Sequence, residues 1–388
     1  MYDLKVRLVS DTTPDKVDLG AGVYRDEVGR YYELPVIRKA KNILESQPPD
    51  HDYGGHTGDP KFVKLASEVI FGKDSETLKA GKVASSLTIA GTGAVHIGAV
   101  FASRFFATPG TPLNVYIGVP AWGNYNPLFA HAGLNPITYN YYDAKQKRVD
   151  FATLLSTIAA APPRSVFVLQ GVCHNPTGLD LTNEEWIQVA DALALGGHLP
   201  FFDVAYQGFG VGLDEDAWAV REFVRRGQEV IVAQSFSKNL GLYGERVGVV
   251  HVVTGDEGTA KNVADQLRCF ARWDYSSPPR YGATLANIVL ENFWDQWLEN
   301  LKTMRERLQQ TRKHLHRLLT EELKTPGNWE HILYETGLFS LLALNEAQVK
   351  RIGSEFHIHF PTNGRINVAG LNEAKTERLA RAIDSVLR

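Results

Sequence analysis

Five short apolar runs, separated by stretches with helical patterns, lie between about residue 88 and residue 254. They span residues 114–119, 165–169, 199–204, 229–233 and 247–253. Nearly continuous apolar runs of this length are typical of a mostly parallel sheet that helices cover on both faces. One of the intervening helices is marked by a capping box, Thr182 with Glu185, ahead of an apolar stripe. The alternation therefore predicts an α/β fold.

The pattern changes after residue 290 and predicts a second, smaller unit. Residues at alternating spacings of four and three predict one long helix that ends before Pro326: Trp297, Leu301, Met304, Leu308, Thr311, Leu315 and Leu318. A coiled coil would use the same seam, but we favour a spine helix that joins two domains. A last amphipathic helix has Asn372 as its N-cap. We expect a smaller α+β domain beyond about residue 307.

The composition excludes several classes of protein. The 388 residues include 41 basic and 44 acidic side chains, and the 44% apolar and 22% charged fractions are globular values that rule out intrinsic disorder. No run approaches the roughly 20 apolar residues of a membrane span, and residues 1–20 lack the apolar stretch of a secretory signal. Because no long basic run is present, nucleic-acid binding is not expected. We expect a cytoplasmic protein.

Neither disulfides nor a metal site are expected. Cys173 and Cys269 are too few for a disulfide framework or a multi-cysteine metal site. The histidine pairs at 314/316 and 357/359 have no carboxylate partner at ligand spacing in the sequence, so we interpret them as ordinary surface or core side chains. A reaction that amino-acid side chains cannot catalyse alone would then need a group other than a metal or a disulfide.

A lone lysine follows one predicted strand, and a lone aspartate lies at the end of another. Lys238 comes just after the run 229–233, among small hydroxyl residues, at the strand end where open α/β sheets bind ligands. Such a lysine can form a Schiff base, although most lysines are merely solvated. Asp203 follows two phenylalanines, and a buried carboxylate there needs a cation or hydrogen bonds. A protonated pyridine nitrogen would suit it; an ordinary helix cap is the alternative.

A glycine-containing segment offers an anion site. The sequence Ala-Gly-Thr-Gly-Ala at 90–94 lies where the predicted strand 86–89 meets a helix that runs to about Phe106. Free backbone N–H groups and the helix dipole favour a phosphate at such a place. His96 at the third glycine position argues against a dinucleotide fingerprint. Ser235 and Arg246 could add a hydroxyl and a fixed charge to the same phosphate.

Five segments together resemble class I aspartate aminotransferases. They are Ser-Phe-Ser-Lys-Asn-Leu-Gly-Leu-Tyr-Gly-Glu-Arg-Val-Gly at 235–248, His-Asn-Pro-Thr-Gly at 174–178, Asp-Val-Ala-Tyr at 203–206, Pro-Ala-Trp-Gly-Asn at 120–124 and Gly-Arg-Ile-Asn-Val-Ala-Gly at 364–370. The resemblance is collinear over nearly the whole chain. It implies a fold type I pyridoxal phosphate-dependent transferase with a seven-stranded, mostly parallel sheet in a large domain, 30–306. Both chain ends, 1–29 and 307–388, would form the small α+β domain, and a homodimer would share its active sites.

The resemblance also implies roles for individual residues around the cofactor. Lys238 would hold pyridoxal 5′-phosphate as a Schiff base and, once released, would move the proton in catalysis. Asp203 would pair with the pyridinium nitrogen, and Trp122 would stack on the ring. Asn175 and Tyr206 would contact the phenolic oxygen. The phosphate would be bound by Gly91, Thr92, Ser235, Arg246 and the partner subunit's Tyr53.

Two arginines would select the substrate. Arg365 would bind the α-carboxylate, because a planar guanidinium suits two parallel hydrogen bonds, with Gly22, Trp122 and Asn175 beside it. Arg272 would reach the distal carboxylate from the partner subunit. A surface ion pair is the alternative for any arbitrary arginine, but the motif context favours the substrate.

Several positions depart from the family pattern. About 16 residues precede the segment 17–20, so the N-terminal arm that wraps the neighbouring subunit is largely missing, which puts the stability of the dimer in doubt. Gln170 and Tyr125 stand where the family commonly has histidines near the pyridinium aspartate. Gly-Gly-His at 54–56 replaces a more apolar run, and Ser277 replaces a frequent asparagine. Specificity for the substrate side chain therefore stays open.

We expect a ping-pong aminotransferase that moves an amino group between L-aspartate or L-glutamate and a 2-oxo acid, 2-oxoglutarate or oxaloacetate. An aromatic or broad-specificity aminotransferase of the same family is the nearest alternative. Another reaction of the same cofactor, such as β-elimination or decarboxylation, is a second. A non-catalytic scaffold that kept the fold is a third, and the intact lysine, aspartate and arginines argue against it.

Overall fold

The computed structural model describes residues 2–108 and 110–388. Its strands are β1 Val17–Asp18, β2 Val83–Ile89, β3 Asn114–Val119, β4 Asn135–Asn140, β5 Tyr142–Asp143, β6 Arg148–Val149, β7 Val166–Gln170, β8 Leu199–Val204, β9 Ile231–Ser235, β10 Val247–Val253, β11 Phe339–Leu341, β12 Ile358–His359 and β13 Arg365–Asn367. Its α-helices are α1 Tyr2–Ser10, α2 Pro35–Ser46, α3 Pro60–Phe71, α4 Glu76–Lys79, α5 Ala90–Phe105, α6 Tyr125–His131, α7 Phe151–Ala160, α8 Asn183–Leu195, α9 Trp218–Arg225, α10 Glu257–Asp274, α11 Tyr281–Asn292, α12 Trp294–Arg317, α13 His331–Tyr334, α14 Glu346–Phe356 and α15 Glu373–Leu387.

A seven-stranded sheet forms the centre of the described chain, in the order β2-β10-β9-β8-β7-β3-β4. Strand β10 is antiparallel to both of its neighbours, and the pairs from β9 to β4 are parallel. The prediction of a mostly parallel sheet is thus confirmed. The apolar run at 247–253 correctly marked a strand, but its composition does not reveal that β10 runs the opposite way.

Helices bury both faces of this sheet. Neighbouring residues of β8 point to opposite sides, so that Phe201 packs in one apolar cluster with α5 and α10 and Phe202 packs in another with α8 and α9. The predicted capping box starts α8: the hydroxyl of Thr182 accepts from the Glu185 N–H at 3.2 Å, and the Glu185 carboxylate accepts from the Thr182 N–H at 2.9 Å. The all-apolar strands are therefore explained by burial on two sides.

The long helix predicted after residue 290 is α12. Its apolar seam is buried within the same chain, in the cluster shared with α2, α11 and α15, which identifies a spine helix and not a coiled coil. The helix ends at Arg317, one residue before the end of the predicted stripe, because a π-helical turn occupies Leu318–Glu322. Helix α15 has the predicted N-cap, since the Asn372 side chain accepts from the Lys375 N–H at 2.9 Å.

The two ends of the chain meet in small sheets. Strand β1 pairs in parallel with β12, and β11 pairs antiparallel with β13. Helix α1 lies against the same region, where the Arg7 guanidinium donates to the Phe360 carbonyl at 3.2 Å. These contacts agree with a unit built from both ends, but the division at 306 and 307 falls inside continuous α12. The domain boundaries stay a prediction.

Three of the four histidines in these pairs have carboxylate neighbours in the folded chain, although the sequence shows none at ligand spacing. The Asp11 carboxylate lies 3.0 Å from His357 Nδ1 and 2.6 Å from His359 Nε2, and Glu330 lies 3.1 Å from His316 Nε2. Folding brings these groups together across long stretches of sequence. Within residues 2–108 and 110–388 no group of three or more His, Cys, Asp or Glu side chains could hold a metal ion. Over the same residues no helix is both long and apolar enough to cross a bilayer.

Candidate active site

A pocket lies at the carboxyl ends of β7, β8 and β9. Parallel strands bring their ends to one edge of a sheet, so residues far apart in sequence meet there. Ten predicted site residues line it: Gly22, Gly91, Thr92, Trp122, Asn175, Asp203, Tyr206, Ser235, Lys238 and Arg246. Arg365 lies at its rim, where its guanidinium donates to Asn175 Oδ1 at 3.3 Å.

Lys238 points into this pocket from the loop after β9. Its ammonium lies 4.9 Å from the ring centre of Tyr206. Burial lowers the pKa of Lys238, and the positive charges of Arg246 and Arg365 lower it further, while Asp203 acts in the opposite direction. A larger fraction of Lys238 is therefore a neutral amine at neutral pH than is usual for lysine.

Asp203 lies inside β8, which excludes the alternative of a helix cap. Desolvation raises the pKa of Asp203, and a hydrogen bond from the Tyr125 hydroxyl to Asp203 Oδ2, 2.5 Å long, lowers it. Tyr125 is buried at the start of α6 and also contacts the Trp122 indole edge to face. The hydrogen bond that a carboxylate needs at this position thus comes from a tyrosine.

Gln170 positions Asn175 by two hydrogen bonds. Gln170 Oε1 accepts from the Asn175 N–H at 2.8 Å, and Gln170 Nε2 donates to the Asn175 carbonyl at 3.1 Å. Sequence reasoning noted Gln170 and Tyr125 only as departures from a family pattern and missed what they bind. The register of β7 and β8, which pairs Gln170 with Asp203, brings these side chains to the same place.

The predicted anion cradle forms at the N-terminus of α5. Gly91 approaches β9 so closely that a Cβ there would lie 3.0 Å from the Ser235 Cβ. Arg246 adopts a left-handed φ of 55° and its carbonyl accepts from the Ala90 N–H at 3.2 Å, which ties the arginine to the start of the helix. The helix N-terminus, two serine hydroxyls of the segment 235–237 and a guanidinium therefore line one part of the pocket.

Arg365, at the start of β13, keeps donors free for a ligand. Its Nη2 donates to the Gly20 carbonyl at 2.7 Å, and the guanidinium lies 4.3 Å from the ring centre of Phe339. Its Nε is buried without a partner among the described residues. This geometry suits an incoming carboxylate, which accepts two parallel hydrogen bonds from a guanidinium.

A buried arginine, which sequence reasoning missed, supports the strand beneath Arg365. Arg312 is 2% exposed, and its Nη2 donates to the carbonyls of Thr336, Gly337 and Phe339 at 3.2, 2.8 and 2.8 Å. These bonds fix the segment that places the Phe339 ring against Arg365. Arg312 lies four residues after Leu308 and three before Leu315, and it takes the buried position of the stripe at which the sequence prediction placed Thr311.

Tyr53 and Arg272 lie outside the pocket of this chain. Tyr53 is 88% exposed, and Arg272 is exposed in the last turn of α10. Their loops are joined to each other, since Ser277 Oγ donates to the Gly54 carbonyl at 3.1 Å and Arg280 donates to the Asp52 carbonyl at 2.7 Å. The structure therefore does not bring these two residues to the other eleven, and their contribution to a partner's site stays a prediction.

The family model described as aminotransferase class I and II matches residues 14–383. The chain belongs to this aminotransferase family. A cytoplasmic aspartate aminotransferase of Schizosaccharomyces pombe is 40% identical over all of this chain and 95% of the relative. The aminotransferase membership and the fold predicted from the sequence are thereby confirmed.

Solved structures of two aminotransferases superpose closely on this one. The aspartate aminotransferase from the Saccharomyces cerevisiae cytoplasm gives a TM-score of 0.95 at 39% identity, over 100% of this chain and 95% of that one. An aromatic-amino-acid aminotransferase of Burkholderia pseudomallei, covalently bound to pyridoxal phosphate, gives 0.96 at 35% identity, over 100% and 96%. The fold is thus shared by aminotransferases named for acidic and for aromatic amino acids.

Proposed function

We propose that this aminotransferase moves the amino group between L-aspartate or L-glutamate and a 2-oxo acid, 2-oxoglutarate or oxaloacetate, in a ping-pong reaction with pyridoxal phosphate. The convergence of Lys238, Asp203 and Arg365 on one pocket is the observation that supports it most. The relatives from both yeasts, named aspartate aminotransferases, support the choice of substrate.

The residues of the pocket fit pyridoxal phosphate. A desolvated carboxylate, Asp203, suits a protonated ring nitrogen, and the helix N-terminus with Arg246 suits a phosphate. Lys238 is the amine that the aldehyde requires, and its ammonium has no carboxylate within ion-pair distance among the described residues. When bound, the cofactor accepts the electrons released at the substrate's α-carbon.

The side chains of this chain then handle the proton. We assign Lys238 Nζ as the base that accepts the proton of the substrate's α-carbon and later returns one, since its lowered pKa makes the neutral amine available. The Tyr125 hydroxyl favours the charged form of Asp203, because its hydrogen bond opposes the effect of desolvation on the pKa of that carboxyl. Tyr206 and Asn175 would bind the phenolic oxygen of pyridoxal phosphate, and Trp122 would stack on its ring.

Arg365 binds the substrate's α-carboxylate in this proposal. Asn175 Oδ1 and the Gly20 carbonyl hold the guanidinium in place, and Phe339 supports it from below. Gly22 packs closely against the Phe339 ring, because a Cβ at that position would lie 3.1 Å from it, so a larger residue would push against the ring that supports Arg365. A planar fork that is fixed in advance loses little entropy when it binds a carboxylate.

A homodimer completes the site. Tyr53 would bind the phosphate and Arg272 the distal carboxylate in the partner's pocket, which agrees with their exposure outside the pocket of their own chain. We also propose a large domain at 30–306 and a small domain at 1–29 and 307–388, supported by the pairing of β1 with β12. A cytoplasmic location is proposed from the names of the yeast relatives.

An aromatic aminotransferase is the second candidate, favoured by the close superposition on the Burkholderia pseudomallei enzyme. The ratio of kcat/KM values for aspartate, tyrosine and phenylalanine, with 2-oxoglutarate as acceptor, decides between the two. We expect aspartate to have the highest value. Dominant turnover of an aromatic amino acid would overturn the assignment of the substrate and leave the reaction in place.

A further inference from the structure

One histidine joins the two loops that the proposed function assigns to the partner's site. His56 Nδ1 lies 2.6 Å from the Ser276 carbonyl oxygen and 3.4 Å from Ser277 Oγ. Because a carbonyl oxygen can only accept a hydrogen bond, Nδ1 carries the proton and donates it. Ser277 Oγ in turn donates to the Gly54 carbonyl at 3.1 Å. The segment after Tyr53 and the turn after α10 are therefore one connected unit.

The same turn orients Arg272. Arg272 Nη1 donates to Ser276 Oγ at 2.6 Å. Ser276 has a φ of +66°, a left-handed conformation that residues other than Gly, Asn and Asp seldom adopt, so its neighbours must hold it there. Among the described residues no carboxylate pairs with Arg272, which leaves its guanidinium available to an anion from outside.

The position of Ser276 thus connects His56 to Arg272. The imidazole holds the carbonyl of Ser276, and the hydroxyl of the same residue holds the guanidinium. If the imidazole is removed, the strained turn loses a hydrogen bond that fixes it. Arg272 then samples more orientations, and a carboxylate that needs two parallel hydrogen bonds binds it less well.

We propose that His56 is a positioning residue that sets the preference for dicarboxylic substrates. It touches neither substrate nor cofactor and acts through Ser276 on Arg272. The inference rests on the proposed function, in which Arg272 binds the distal carboxylate in the partner's site. Substrates without a distal carboxylate do not use that contact, so His56 affects them little.

Two substitutions at position 56 separate the hydrogen bond from the size of the side chain. His56→Leu keeps an apolar side chain of similar size and removes the donor, whereas His56→Asn offers an amide N–H at the same distance along the chain. We expect His56→Leu to lower kcat/KM for aspartate roughly tenfold more than for phenylalanine, mainly through KM. His56→Asn should recover most of the loss. The exposed His51 in the same loop supplies the matched control, His51→Leu.

Binding of non-reacting acids gives a second measurement. The dissociation constant of succinate, which has two carboxylates, should rise with His56→Leu, while that of butyrate, which has one, should stay nearly constant. Ser276→Ala removes the hydroxyl that holds Arg272 and should reproduce the same selective loss. It also keeps the test valid should His56→Leu fail to fold.

Coupling to Arg272 is the sharpest test. In an Arg272→Ala background, His56→Leu should cause no further selective loss, because two residues that act through one contact are not additive. A loss that is equal for aspartate and phenylalanine, or one that persists in full without Arg272, would overturn the role of His56. Failure of the proposed function is a different result: the unsubstituted protein would then not turn over aspartate at all.

Discussion

Replacing Tyr125 with Phe removes a single oxygen atom from the site and leaves the aromatic ring in place. The lost hydroxyl donates to Asp203 Oδ2 at 2.5 Å and stabilises the charged carboxylate. Desolvation already raises the pKa of Asp203, and the Tyr125 hydrogen bond is the largest of the effects that oppose it. The substitution should therefore raise the pKa of Asp203 further.

The size of the effect follows from the kind of hydrogen bond that is lost. A bond to a charged group contributes about 1.5–3 kcal/mol, and about 1.4 kcal/mol corresponds to a factor of ten. Because the proposed reaction needs Asp203 ionised, kcat/KM for aspartate should fall by up to roughly 10- to 100-fold at pH values below the raised pKa of Asp203, and by less near neutral pH. The loss should grow as the pH falls, since a carboxyl with a higher pKa is protonated at a higher pH. The acid limb of the pH profile thus shifts to higher pH.

Steady-state rates with aspartate and 2-oxoglutarate across the acid and neutral range measure both effects. Tyr116→Phe is the matched control, because it removes a hydroxyl from a tyrosine of β3 that stacks on Phe167. That variant should keep the rate and the acid limb. If Tyr125→Phe also left both unchanged, the reasoning about Asp203 would be refuted.

Three further substitutions test other parts of the site. Lys238→Ala should abolish nearly all turnover and the visible absorbance of the bound cofactor; turnover that survives would contradict its assignment as the base. Arg365→Lys should raise KM about tenfold or more for aspartate and phenylalanine alike, because both have an α-carboxylate, and an effect on aspartate alone would be inconsistent with that role. Arg312→Met leaves the buried carbonyls of Thr336, Gly337 and Phe339 without their donor, so we expect the free energy of unfolding in urea to fall by about 1–3 kcal/mol, whereas an unchanged midpoint would count against its structural role.

The positions of the central strands could be predicted because strands buried on both faces are apolar throughout. The runs at 114–119 and 199–204 match β3 and β8 at both ends. The run at 229–233 overlaps the observed β9, but it begins and ends two residues earlier. The direction of β10 could not be predicted, since a strand covered on both faces has the same composition whichever way it runs. The end of α12 was also missed by one residue, because the π-helical turn continues the same apolar stripe.

Within the site, the residues that end strands or form motifs could be predicted, and their partners could not. Asp203 lies at the end of one apolar run and Lys238 follows another, so the sequence itself places them at one edge of the sheet. Tyr125 is 78 residues from Asp203, and only the packing of α6 brings its hydroxyl to that carboxylate. Arg312 was missed for the same reason, because its burial depends on hydrogen bonds to three backbone carbonyls of the segment 336–339, which is distant in sequence.

The most direct test of the proposed function is the absorbance spectrum of the purified protein, recorded alone, after aspartate and then after 2-oxoglutarate. We expect a visible band that falls with aspartate and returns with the oxo acid, because each substrate completes one half of the transfer. A band that stays unchanged with aspartate and falls with tyrosine would assign an aromatic amino acid as the substrate. No band, even after pyridoxal phosphate is added, would contradict the account of the pocket.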